Sequence, residues 1–510
     1  MKLFNYTINK FSLAFLLLLF VSSCSEDFLE RPPEDSYSDD DFYYTDEQVE
    51  SRITPLYFKP WWGMFNTPYW VMTEIASGDM FNYTHTSFVQ FTVTSSNSNL
   101  EATWGSLYSV VAQSNEIINN LDSKVDAGVS QDVINSVKGE AYFLRAVAYF
   151  YLVRFWKEVP IIENAYDYIY APQVHKNFEE DIYTFIESDL EMAISLLPEK
   201  TRGADFDNNA RVSVGSAKAM LAKVYLTEEK YTEAKTLAGE VISSGEFKLL
   251  DNYADLFLTS NDNNQESIFS LQWCISTDYG SGNQSNIVNS AAGYGLSNIG
   301  DWNVFGPSQD ILDIYPTGDE REIENMMIPG YTYENLYTSD GDQFTVPDDI
   351  SAATSGSAIK KYVVGGQDEY DNWGMTSNNT YIMRYADLLL IYSEASMAGS
   401  GSTTDAIALS YFNQVRERAG LVDLPNLTNE ILLQERRREF AFEGEYWFDL
   451  QRLLSESDLL TLLSNQNRGD MNYPQYYTAS AEDLVYPIPA NESASNPLLL
   501  EDAVAYDFTN

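Results

Sequence analysis

The sequence predicts a mainly α fold, built from packed helix pairs and carrying one irregular, loop-rich region with short strands. Three observations predict it. Apolar residues recur at 3.6-residue spacing through the first half of the chain and again after residue 380. Between these parts, over 251–380, helical periodicity fades and Gly, Ser, Asn, Asp and Tyr dominate. The 510 residues are 44% hydrophobic and 21% charged, enough for a large core and unlike a disordered chain.

The N-terminus reads as an address. Lys2 and Lys10 form a positive region, and Phe11 to Val21 is an apolar run of 11 residues. A bilayer span needs about 20, so residues 1–23 read as a signal peptide. Val21-Ser22-Ser23-Cys24 resembles a lipobox, which makes Cys24 the expected lipidation site and the protein tethered and extracytoplasmic. Residues 24–44 then read as a tether. Residues 45–510 read as a single body, divided into 45–250, 251–380 and 381–510. Thr45 with Gln48 predicts a capped helix start.

Within the body, Trp104, Leu107, Tyr108, Val111, Asn115, Ile118 and Leu121 predict an amphipathic helix over 101–121. A second helix is expected over 131–155, halted before Val159-Pro160, and a third over 178–197, ended by Pro198. Residues 216–244 read as two helices joined by Glu228 to Tyr231. Ala222, Tyr225 and Ala234 reproduce the small–aromatic–small spacing of a tetratricopeptide unit. A second helix pair is expected over Tyr381–Gly420. Strand-like runs occur at Glu266–Ser276 and Ala358–Val364.

Glu435 to Arg452 (ERRREFAFEGEYWFDLQR) concentrates arginine. From Arg384 to Arg452 lie seven of the 15 Arg and not one Lys. Arg suits partly buried, bidentate pairing with carboxylates, so the stretch reads as internal ion-pair clamps. Helical spacing pairs Glu435 with Arg438 and Arg436 with Glu439. Gly444 sits where a left-handed cap would end the helix.

The 76 acids against 30 bases give a formal charge of -46, which argues against nucleic acid and anionic lipid surfaces as partners. With Cys24 in the leader region, Cys274 stands alone and reads as a buried thiol. His85 and His175 are the only histidines and share no metal-ligand spacing, which disfavours a zinc site or a Ser-His-Asp triad. Asp205-Phe206-Asp207-Asn208-Asn209 and Asp262-Asn263-Asn264 offer oxygens to calcium, but neither matches a 12-residue calcium loop. No cofactor is expected.

Five pieces together resemble the SusD/RagB family of outer-membrane nutrient-binding lipoproteins. They are the lipobox, the helix KGEAYFLRAVAYFYLVRFW with the following EVPII, YIMRYADLLLIYSEA with VRERAGL, ERRREFAFEGEYWFDLQR, and the tail LVYPIPANESASNP. The resemblance implies a SusD-like fold around tetratricopeptide repeats. It also implies a cell-surface binding role, capturing glycans and passing them to a SusC-like TonB-dependent transporter, with the outer membrane reached through the lipid anchor. Ser25, Glu26 and Asp27 resemble the surface-export signal of such bacteria. A RagB-like peptide cargo is the main alternative. A glycoside hydrolase is the other, although among 76 acids paired carboxylates carry no information.

Aromatics reach 14%, with 36 Tyr and 9 Trp. Sugar recognition needs flat aromatic faces plus a few amides or carboxylates. One candidate stretch is Pro60–Phe88, with Trp61, Trp62, Tyr69, Trp70, Phe81, Asn82, Tyr83 and His85. Of these, Trp62, Asn82 and Tyr83 are the expected contacts, whereas Trp70 reads as core and His85 as a loop residue. The other stretch is Trp273–Phe305, with Trp273, Tyr279, Asn283, Tyr294, Asp301, Trp302 and Asn303. Trp373 is a third candidate. Trp302 leads them, because Gly300, Asp301 and Asn303 around it offer no apolar packing pattern.

Overall fold

The computed structural model describes residues 43–82, 84–170, 172–202, 209–275, 305–338, 340–348, 350, 356–365, 376–469 and 473–509. Helix α1 (Asp46–Ile53) starts at the predicted cap. Thr45 Oγ1 accepts from Gln48 N at 3.3 Å, and Gln48 Oε1 accepts in return from Tyr44 N at 2.7 Å, one residue upstream of the cap.

Three long helices follow: α2 (Ser98–Lys124), α3 (Gln131–Trp156) and α4 (Glu179–Leu196). Helix α3 packs against α1, α2 and α4, and from Gly139 to Trp156 all but Tyr142 of its residues are buried. A helix buried on every side belongs in the centre, and α3 is the central helix of this half. The pair α5 (Val214–Thr227) and α6 (Tyr231–Ser244) comes next, closed by Gly245 in the left-handed conformation. Ala222 and Ala234 are fully buried between neighbouring helices, as their small size predicts.

The second pair is α7 (Tyr385–Ala395) with α8 (Ala406–Arg418), and α6 packs on α7, so the two pairs stack. Helices α9 (Asn429–Glu439), α10 (Tyr446–Leu453) and α11 (Glu456–Asn465) complete the C-terminal part.

The intervening region carries short strands, among them β1 (Ser267–Leu271), β2 (Thr332–Tyr337), β3 (Gln343–Thr345) and β4 (Thr380–Arg384). Strand β1 pairs antiparallel with β4, from Ser267 opposite Arg384 to Leu271 opposite Thr380. This corrects the expectation of a helix from Tyr381. The run TYIMRYADLLL is apolar without alternation, and only the partner strand more than 100 residues away decides that its first five residues extend. The strand-like run at Ala358–Val364 shortens to Ala358–Ile359, paired with Met326–Met327. Buried side chains of the intervening region, including Tyr253, Ile268, Phe344 and Tyr362, belong to the same core as the helices on both sides.

The Arg-rich stretch clamps this core. Arg384 binds Glu266 at 3.0 Å, Glu439 at 2.5 Å and Glu443 at 2.9 Å. Arg321 binds Asp319 and Glu435, both at 2.8 Å, and Glu439 at 3.0 Å. Arg418 joins Glu439 and Glu266. Burial alone would raise the Glu439 carboxyl, but Arg418, Arg384 and Arg321 hold it well below the usual carboxylate range. The expected Glu435–Arg438 contact is present at 3.7 Å. The expected Arg436–Glu439 pair is not. Arg436 instead reaches Asp387 and Asp449, both at 2.8 Å, because partners on other helices satisfy its fork better than a helical neighbour. Gly444 does take a left-handed φ of 85°, but it lies beyond the end of α9, at the junction with α10.

The tail packs on the body but is not extended throughout: Ala490–Ser495 is helical and Pro497–Leu500 forms a 3-10 turn. Tyr486 donates to Met72 O at 2.6 Å, and Trp156 Nε1 donates to Pro487 O at 3.2 Å.

Candidate functional site

Strand β1 delivers the chain to a cleft of 550 Å³ whose walls include Thr54, Tyr57, Phe58, Arg211, Gln272, Trp273 and Cys274. Tyr57 and Phe58 come from the turn after α1, Arg211 precedes α5, and Gln272 to Cys274 continue from β1. The cleft thus joins three elements widely separated in sequence. Its walls are largely apolar, with a few polar groups, the composition of a small-ligand site.

Those polar groups are held in place. Trp273 is 7% exposed, and its indole Nε1 donates to Thr380 Oγ1 at 2.9 Å, so its ring plane is set by β4. Gln272 exchanges amide hydrogen bonds with Asn263, both at 2.8 Å, and its Oε1 accepts from Asn379 Nδ2 at 3.2 Å. Arg211 forks onto Glu140 at 2.6 and 2.9 Å, with its guanidinium above the Tyr57 ring. Tyr57 donates to the same Glu140 at 2.5 Å. Burial would weaken the Arg211 charge, but Glu140 more than offsets it and the guanidinium stays protonated. Burial, reinforced by the Glu140 charge, pushes the Tyr57 phenol well up, so the ring remains neutral. The cleft is therefore walled by neutral, largely buried aromatic rings beside one charged guanidinium that is paired with Glu140.

Of the predicted contact residues, the structure brings Trp273 to this cleft. Trp62 and Asn82 do not line it. Trp62 is half-buried against the core in the short helix Trp62–Phe65. Asn82 is fully buried, and its Oδ1 accepts from Thr84 N and Oγ1, both at 2.6 Å, and from His85 N at 3.1 Å. Such bonding makes Asn82 a turn-former, because an Asn carbonyl two residues back mimics a backbone turn. Tyr83, Tyr279, Asn283, Tyr294, Asp301, Trp302, Asn303 and Trp373 lie outside the described residues, as does Cys24. Trp70 is 1% exposed and belongs to the core as expected.

Cys274 departs from expectation. It is half-buried and lines the cleft instead of being sealed in the core. Tyr57, Phe58 and Arg211 went unrecognised in the sequence, since an aromatic pair after a helix and one Arg among 15 carry no site signal. Of the two calcium candidates, Asp205 to Asn208 lie outside the described residues, whereas Asn263 Oδ1 accepts from Gln272 Nε2, Asn264 Oδ1 from Glu266 N, and Asp262 Oδ1 from Asn379 N. Among the described residues no group of three or more His, Cys, Asp or Glu is arranged to hold a metal ion.

The comparisons with known proteins agree across the chain. The SusD family profile matches residues 265–504, and a second profile, described as starch-binding associating with outer membrane, matches residues 28–226. A SusD-like protein of Bacteroides ovatus is 32% identical, covering 96% of this chain and 97% of its own length. A crystal structure with bound xylogluco-oligosaccharide superposes with a TM-score of 0.81 at 28% identity, covering 91% of this chain and all of the other. A laminarin-binding SusD-like protein superposes with a TM-score of 0.72 at 25% identity, covering 89% of this chain and 98% of the other. With its fold, its arginine clamps and these matches in accord, the chain belongs to the SusD family.

Proposed function

We propose that this protein is a glycan-binding lipoprotein of the outer membrane, anchored through Cys24 and facing the cell exterior, that hands oligosaccharides to a SusC-like TonB-dependent transporter. The observation that carries the reading is the aromatic cleft at Trp273, from which the chain runs directly into the Tyr- and Trp-bearing residues 276–304. Neutral aromatic rings suit the apolar side of a pyranose, and Arg211 suits its hydroxyls. Relatives solved with xylogluco-oligosaccharide or described as laminarin-binding support the ligand class. Outer-membrane association is part of the family description matched by residues 28–226. Glycan-facing side chains are assigned to Trp273, Tyr279, Tyr294, Asp301, Trp302, Asn303 and Trp373, with 251–380 as the recognition part of a single body over 45–510. We assign binding without hydrolysis.

Affinity electrophoresis against a panel of neutral polysaccharides tests this. At least one should retard the protein, and Trp302→Ala should weaken that binding by about 1–3 kcal/mol, the range for an aromatic anchor. Binding of peptides with no polysaccharide retardation would overturn the reading. Release of sugar product, abolished by a carboxylate substitution, would overturn the absence of hydrolysis.

A further inference from the structure

A second pocket, of 480 Å³, opens between the end of α3, the start of α4, the end of α5 and α10. Its floor holds Arg154, which is only 7% exposed. The guanidinium carbon lies 3.9 Å from the centre of the Phe150 ring and 3.8 Å from that of Phe448, so both rings pack closely on the guanidinium. Its Nε donates to Phe150 O at 3.2 Å. Among the described residues nothing hydrogen-bonds to the two terminal nitrogens and no carboxylate forms an ion pair with them.

That is anomalous here. The other cations of the pocket are neutralised: Lys157 by Glu179 at 2.7 Å, Lys223 by Asp387 at 2.8 Å and Glu445 at 2.9 Å, and Arg452 by Glu394 at 2.7 Å. Arg468 is also buried without a carboxylate, but its N–H groups reach Ile75 O, Ala76 O and Gln466 Oε1. Arg154 has no such outlet. Two further donors at the pocket are equally unused. Gln451 Nε2 is buried with no partner, and the Tyr183 hydroxyl makes no hydrogen bond to the described residues. Burial, with Glu187 alongside, pushes the Glu228 carboxyl up to about 7, which reduces the negative charge at the rim.

We propose that this pocket is a second ligand site that takes a carboxylate-bearing sugar, a uronic-acid residue, with the Arg154 Nη1 and Nη2 edge gripping its carboxylate. With aromatic rings packed on the guanidinium, its outward edge is what remains for recognition, and that edge matches a carboxylate fork. A buried cation with no counter-charge is unfavourable, and an anionic ligand removes that imbalance where a neutral sugar would not. Tyr183 and Gln451 add donors, while Glu180 and Glu229 at the rim accept from ring hydroxyls. The step from a carboxylate to a sugar acid rests on the glycan-binding reading above.

Calorimetric titration of the full chain with methyl β-D-glucuronoside, methyl β-D-glucoside and N-acetylglutamate tests the site. The glucuronoside should bind on the order of tenfold tighter than the glucoside, the factor a charge-assisted hydrogen-bond pair supplies. Arg154→Met should abolish that preference without lowering the melting temperature, and Tyr183→Phe should weaken binding in a variant certain to keep its packing. Equal binding of the two glycosides would overturn the carboxylate assignment, and N-acetylglutamate binding as tightly as the glucuronoside would overturn the sugar. A lowered melting temperature of Arg154→Met with the preference intact would mark Arg154 as structural. Neutral-polysaccharide retention without any glucuronoside binding overturns this pocket alone. Glucuronoside binding without polysaccharide retention supports the pocket and counts against the cleft at Trp273.

Discussion

Glu439 accepts from three arginines, Arg321, Arg384 and Arg418, and is fully buried. Replacing it by Gln leaves three buried guanidiniums short of one charge, which costs about 3–5 kcal/mol for a broken buried pair. Urea denaturation of Glu439→Gln should show that loss as a lower midpoint. Glu74 behaves in the opposite way. Burial, and then the neighbouring Asp79 charge, raise its carboxyl well above the usual range, and one of its oxygens has no partner while the other accepts from Gly444 N. An acid raised in the folded state loses stability as pH climbs from its unfolded value of about 4.3 towards its folded one. Glu74→Gln keeps an acceptor for Gly444 and does not titrate. Its melting temperature relative to the parent should therefore rise between pH 4 and pH 8, and a constant difference would contradict the assignment.

Among the elements, the junction between α9 and α10 is the most constrained. At Gly444 a Cβ would stand 2.2 Å from the Tyr69 hydroxyl oxygen, and the φ of 85° already disfavours a side chain. Gly444→Ala should destabilise by about 1–3 kcal/mol through overpacking alone, read as a shifted urea midpoint with an unchanged slope. This junction was only half legible. A Gly near the end of an Arg-rich helix signals a stop, but the close approach of Tyr69 comes from more than 370 residues away. The long helices were the most legible elements, since Trp104 to Leu121 report their own burial by period and the 131–155 run is bounded by Val159-Pro160. Strand β4 was the least, because Thr380 to Arg384 carries no alternation and continues into apolar helix.

For the whole molecule, the clamps set the acid limb of stability. Glu439 and Glu443 titrate below their usual range, because although burial opposes this, Arg418 and Arg384 respectively outweigh it; for Asp387, Lys223 and Arg436 do the same. Depressed carboxyls contribute stability that is complete above their unfolded values, near about 4, and lost as pH falls through the folded ones. Denaturation midpoints should therefore drop steeply below about pH 4, and Glu439→Gln should flatten that drop. Unchanged steepness in the variant would place the acid sensitivity elsewhere.

The sequence by itself determined the fold class, the family and the helix boundaries to within a few residues. Each rests on local chemistry: apolar periodicity, the cap at Thr45, and an arginine-only stretch in an acidic chain. Only the tertiary structure decided which carboxylate each arginine meets, that Asn82 shapes a turn, that Tyr57 and Arg211 share a cleft with Trp273, and that Arg154 is buried without an ion-pair partner among the described residues. Those outcomes depend on contacts between residues tens to hundreds of positions apart, and no local pattern of side chains encodes which distant surface will be brought against them.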